Sequence, residues 1–89
     1  MEQSRMPLLE AVKTFETADP AYFRIPAHRF QRGVNPRFLE AVGEQVFRYD
    51  LSEAEGLDDL HHPEGAIREA EELAAELYGS DRCWFLVNG

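Results

Sequence analysis

The amino-acid sequence predicts the opening of an α/β domain, and three observations carry that reading. Residues 64–78 repeat apolar side chains at helical spacing, with Gly79 as a stop. After the turn Ser80-Asp81-Arg82, residues 83–87 (Cys83-Trp84-Phe85-Leu86-Val87) are apolar without alternation. That is the pattern of a strand buried on both faces, as in a parallel sheet covered by helices. Such a strand needs hydrogen-bonded neighbours, and the 89 residues hold no comparable second one. Helix, turn and strand therefore read as the first pieces of a sheet domain that is incomplete by itself.

Along the chain, Pro7 to Ala18 reads as a short helix. Pro7 suits its first position, and Leu8, Val12 and Phe15 recur at helical spacing, with Lys13 turned to the polar side. Asp19-Pro20 stops it. Residues 22–32 read as an extended arm, because Pro26 biases Ile25 away from helix. Asn35-Pro36 looks like an N-cap followed by proline at the first helical position. Gly43 is the matching stop, with Phe38, Leu39 and Val42 facing inward. Residues 46–51 alternate enough for a short strand or an extended loop. Residues 55–65 combine two glycines, a proline and several ionisable side chains, the make-up of a structured loop. In the helix over 64–78, Ile67, Ala70, Leu73, Ala74 and Leu77 form the apolar stripe, and Glu69, Glu72 and Glu76 lie on the solvent side. Glu64 and Arg68 stand in the favoured i,i+4 order, worth a few tenths of a kcal/mol.

Bulk properties narrow the function classes. The formal net charge of −8 is unevenly spread: residues 1–49 balance to +1 and residues 50–89 to −9. An acidic half repels phosphate backbones, so nucleic acid is a poor partner, and the charge serves solubility first. No apolar run approaches the ~20 residues of a membrane span, and the start lacks the basic-then-apolar pattern of a signal peptide. A single cysteine, Cys83, gives neither an internal disulfide nor a structural zinc set. A reduced, cytoplasmic location is the expectation.

The chemistry-bearing residues cluster in the 55–65 loop. His61-His62 with Asp58, Asp59 and Glu64 invites a metal hypothesis, but adjacent histidines diverge and the spacing matches no metal motif, so no metal is expected. One histidine is expected to bond within the loop, the other to face a cavity or solvent. Asp58-Asp59 is open to two readings, paired carboxylates or turn-forming caps. Cys83 sits in an apolar run that disfavours a thiolate nucleophile. Asn88-Gly89 follows a strand-like run, where glycine lets backbone approach a phosphate.

Taken together, the residues resemble one family. Ile25-Pro26-Ala27-His28-Arg29 is followed by Asp50-Leu51-Ser52-Glu53, then Gly56-Leu57-Asp58-Asp59-Leu60-His61 with Pro63, Gly65 and Ile67. The series continues through Glu69-Ala70, Leu73-Ala74-Ala75 and Tyr78-Gly79 with Asp81, to Phe85-Leu86-Val87-Asn88-Gly89. In this order, from about residue 20 onward, they resemble the Orn/Lys/Arg decarboxylases, pyridoxal-phosphate enzymes acting on basic amino acids. Ala27 and Arg29 stand where that family usually has glycine and lysine. The resemblance implies an aspartate-aminotransferase-type fold, a homodimer or multiple of dimers, and a coenzyme held as a Schiff base on lysine. It implies an N-terminal helix and arm over residues 1–49 and the start of the coenzyme-binding major domain over 50–89. It resembles the compact members, without a receiver-like domain ahead of the helix.

By the same resemblance, Asn88 and Gly89 stand at the edge of the coenzyme's phosphate loop. His28, Asp58, Asp59 and His61 are candidates for an active site shared across the dimer interface. The only lysine, Lys13, precedes the matched region, so these 89 residues alone are expected to hold no coenzyme and to be inactive. The intact protein is expected to be a decarboxylase of arginine, lysine or ornithine serving polyamine synthesis. The alternative is a truncated, non-catalytic paralogue that binds a full-length subunit through the unpaired 83–87 edge.

Overall fold

The computed structural model describes residues 1–20, 28, 30 and 32–88. Most of the arm expected over 22–32 lies outside the described residues, as does Gly89. The helices among the described residues are α1 (Pro7–Ala18), α2 (Pro36–Val42), α3 (Glu44–Tyr49) and α4 (Ala66–Tyr78). The chain divides into two compact units, Met1–Ala11 with Glu53–Gly89, and Val12–Ser52.

In the first unit, α4 buries Leu73 and Ala75. Gly79 ends it at φ 66°, the left-handed conformation that glycine adopts at least cost. Its N–H reaches the Glu76 carbonyl at 3.1 Å, and the Ser80 N–H reaches Ala75 at 2.9 Å, the paired closure of a Schellman motif. The amino-terminal residues run along this helix. Gln3 Nε2 donates to the Leu73 carbonyl at 3.1 Å, and the Met1 amino group lies 3.0 Å from Glu76. Arg5 bridges Glu69 and Glu10. These ion pairs are half exposed, so solvent screens them and they add little to stability.

Four expectations change here. The helix begins two residues later than 64, and Glu64 stays in the loop beside His62 at 3.1 Å. Arg68 pairs instead with Glu72, one turn further on, at 2.9 Å. Leu77, expected in the apolar stripe, is exposed. Residues 83–87 form no strand, and Trp84 (61%) and Val87 (73%) are largely exposed. A ladder needs a second strand, and none occurs among the described residues. One backbone bond is supplied by a side chain instead: the Phe85 N–H donates to Glu71 Oε2 at 2.8 Å.

In the second unit, Asp19 takes φ 46° just after α1, a conformation that Asp tolerates better than most residues. Asn35 caps α2 as its sequence predicts, accepting the Arg37 N–H at 2.9 Å. Phe38 and Val42 are exposed rather than inward, and Leu39 is half-buried. Of residues 46–51, expected as a short strand or an extended loop, 46–49 are helical and belong to α3. Gly43 at φ 86° closes α2 through its N–H to Leu39 and lets the chain enter α3 at once. Glu44 in the first turn of α3 and Arg48 in its last complement the helix dipole. Phe30, fully buried at φ 61°, is the centre of this unit. Its ring lies 6.2 Å from that of Phe15, with the guanidinium groups of Arg32 and Arg48 at 5.9 and 5.6 Å. Arg48 also pairs with Glu16, and Arg32 with Asp19 at 2.9 Å.

Candidate functional site

The loop before α4 is organised by one carboxylate. Asp58 Oδ1 accepts the N–H groups of Asp59 and Glu64, both at 2.9 Å. Asp58 Oδ2 accepts those of Gly65 at 2.8 Å, Ile67 at 2.9 Å and Arg68 at 3.2 Å. Gly65, the residue at the N-cap position, has no side chain to satisfy the first N–H groups of α4, and Asp58 does so from seven residues upstream. Burial pushes the Asp58 carboxyl up, but the backbone N–H groups of Glu64, Asp59, Gly65 and Arg68 outweigh it and hold the pKa at about 2. Of the two readings open for Asp58-Asp59, this geometry is that of caps and turns. Asp59 repeats the pattern on a smaller scale, its Oδ1 accepting the His61 N–H at 2.9 Å and its carbonyl that of His62.

The two histidines diverge. His62 Nε2 lies 3.1 Å from Glu64 Oε1, whereas the His61 residue is exposed at the loop surface. Among the described residues no group of three or more His, Cys, Asp or Glu side chains could hold a metal ion.

His28 belongs to the Val12–Ser52 unit. Its Nε2 lies 3.0 Å from Asp50 Oδ2, and its ring meets Phe47 edge-on at 5.4 Å between centroids. Phe47 in turn contacts Phe38 at 5.5 Å. The Asp50 carboxylate orients the imidazole, and Nδ1 is buried without a hydrogen-bond partner. The pairing of His28 with Asp50 had no local signal, since 22 residues separate them.

Asn88 is exposed, and Gly89 lies outside the described residues. Cys83 is a half-buried free thiol. A Schiff-base coenzyme needs a lysine amine and a phosphate cradle, and Lys13 stands exposed on α1. The described residues do not assemble a holder for such a group.

The sequence reading missed Glu71, which is buried on α4. Its signal was present: position 71 lies four residues after Ile67 and three before Ala74, inside the apolar stripe, where a charge has to find a partner.

An Asp-organised loop leading into an amphipathic helix defines a helical entry segment, and comparison with known proteins says of which family. The model of the Orn/Lys/Arg decarboxylase major domain matches residues 6–89. The chain belongs to the Orn/Lys/Arg decarboxylase family. It is 40% identical over 89 residues to an arginine decarboxylase of Bacillus subtilis (strain 168), covering 100% of this chain and 18% of that protein. To an arginine decarboxylase of Halalkalibacterium halodurans it is 41% identical over 87 residues, 98% of this chain and 18% of the relative. To the inducible ornithine decarboxylase of Escherichia coli (strain K12) it is 32% identical over 93 residues, 98% of this chain and 13% of the relative. The chain thus spans less than a fifth of the length of these relatives. No solved structure matches it. No helix among the described residues is long and apolar enough to cross a membrane.

Proposed function

We propose that these residues are the N-terminal stretch of a pyridoxal-phosphate-dependent decarboxylase of basic amino acids. Residues 1–49 supply a helix and arm, and residues 50–89 open the coenzyme-binding major domain. The enzyme works as a cytoplasmic homodimer, in polyamine synthesis. The observation that carries this reading is the family match over residues 6–89, with relatives named arginine and ornithine decarboxylases. Arginine is the first substrate to test, because the relatives near 40% identity bear that name.

Within the enzyme, the Asp58 loop and His28 contribute to the site shared between subunits, and Asn88-Gly89 leads into the phosphate cradle. The capping by Asp58 supports a positioning role for that residue, with Asp59 and His61 carried on the loop that it fixes. The test is carbon dioxide release by the full-length protein, supplied with coenzyme, from arginine, lysine and ornithine in turn. Release from one of them is expected, and release from none overturns the reading. The 89-residue chain alone is expected to show no aldimine absorbance and no release, and stoichiometric coenzyme on it contradicts the fragment argument. The exposed apolar residues 84–87 favour the second reading, a non-catalytic module that binds a full-length subunit. Decarboxylation by the full-length protein overturns that one.

A further inference from the structure

The chain has two asparagines, Asn35 and Asn88. Both are exposed, so access of water does not distinguish them. Two other features do. Asn35 is held, because its Oδ1 accepts the Arg37 N–H at 2.9 Å as the cap of α2. Asn88 lies in no helix or strand, and its side chain has no hydrogen bond among the described residues. The second feature is the residue that follows. Asn35 precedes Pro36, whose ring nitrogen carries no hydrogen. Asn88 precedes Gly89. Glycine has a backbone N–H and no Cβ, so no side chain hinders approach of that nitrogen to the amide of the residue before it.

We propose that Asn88 is a site of spontaneous modification, converted to aspartate and isoaspartate through a cyclic imide formed with Gly89. The Gly89 nitrogen loses its proton to base and attacks Asn88 Cγ. The Cγ–Nδ2 bond breaks, and the nitrogen leaves as ammonia after taking up a proton. Water then opens the five-membered ring at either carbonyl. Addition at Cγ restores the ordinary backbone and gives aspartate. Addition at the backbone carbonyl carbon leaves the chain running through the side chain and gives isoaspartate. One water is consumed for each ammonia released, and no oxidant or reductant takes part. The product adds one carboxylate at position 88, so the net charge moves from −8 to −9.

The site rests on Asn88 and the residue after it, and it stands or falls apart from the decarboxylase reading. The folded full-length protein is incubated in mildly alkaline buffer at physiological temperature, and its peptides are followed by mass spectrometry. The peptide holding Asn88 is expected to gain about 1 Da, with aspartate and isoaspartate both present, the latter recognised by enzymatic methylation of its α-carboxylate. Asn35 is expected to stay unchanged. Gly89→Ala places a Cβ beside the attacking nitrogen and is expected to slow conversion about tenfold or more. Should that variant fail to fold, the pH dependence of the unsubstituted protein carries the test. Its rate is expected to rise with hydroxide concentration, because the attacking nitrogen has to lose its proton. Aspartate without isoaspartate, conversion of Asn35 at a comparable rate, a rate indifferent to pH, or full-rate conversion in folded Gly89→Ala overturns the proposal. So does an unchanged Asn88 in the folded protein over a period in which the urea-unfolded protein converts completely.

Discussion

Asp58 accepts five backbone N–H groups, and two substitutions separate what its shape and its charge contribute. Asp58→Ala removes every acceptor and is expected to cost about 1–2 kcal/mol, felt first as faster hydrogen exchange at Ile67 and Arg68. Asp58→Asn keeps one acceptor oxygen and is expected to lose less. The folded carboxyl titrates at about 2, below its ordinary 3.8, so the folded state favours the charged form. That contribution is complete above pH ~4 and disappears as the pH falls toward 2. The stability difference between the native protein and Asp58→Asn, measured by denaturant unfolding, is therefore expected to shrink across that window. A difference that stays constant from pH 6 to pH 2 contradicts the assignment. His61 is exposed and its backbone N–H, not its ring, is held by Asp59 Oδ1, so His61→Ala is expected to change stability by less than ~0.5 kcal/mol. A fall in kcat/KM or in dimerisation of the full-length protein then reports a functional role, and unchanged values for both remove His61 from the site. The residue types of this loop were legible in the sequence, but the choice between acid–base pair and cap was not. It depends on which N–H groups lie within reach, and two of those are nine and ten residues away.

Helix ends show best which local signals suffice. Asn35-Pro36 and Gly79 act through neighbours one to five residues away, so α2 and the end of α4 follow from sequence alone. The stretch 46–51 misled because its apolar residues fit a strand as well as a helix. What decides it is Gly43, whose positive φ ends one helix and starts another. Residues 83–87 misled in the opposite sense: strand formation depends on a neighbour that no local pattern supplies. Two substitutions test the helix ends. Gly79→Ala is expected to cost about 1 kcal/mol, wholly conformational, because a Cβ there meets nothing within 4 Å. Asn35→Ala is expected to cost about 1 kcal/mol by leaving the Arg37 N–H without its acceptor. Thermal unfolding measures both, and no shift in Tm for Gly79→Ala means that α4 ends differently in solution.

At the scale of the whole molecule, two features set how the 89-residue chain behaves by itself: a net charge of −8 and an exposed apolar run over residues 84–87. Charge of one sign opposes association, but at physiological salt it acts over only about 8 Å. An exposed apolar run promotes association on direct contact. Leu86 (69% exposed) and Val87 lie in that run, so replacing both tests which feature dominates. Two lysines move the net charge from −8 to −6, and two aspartates move it to −10. If repulsion dominates, only the aspartate pair lowers association and the lysine pair raises it. The extent of exposed apolar surface predicts otherwise. Both pairs are expected to shift the chain toward monomer in light scattering at 0.15 M salt, and sulfate is expected to promote association of the unsubstituted chain most strongly. Opposite responses of the two pairs contradict the apolar account and assign the behaviour to charge.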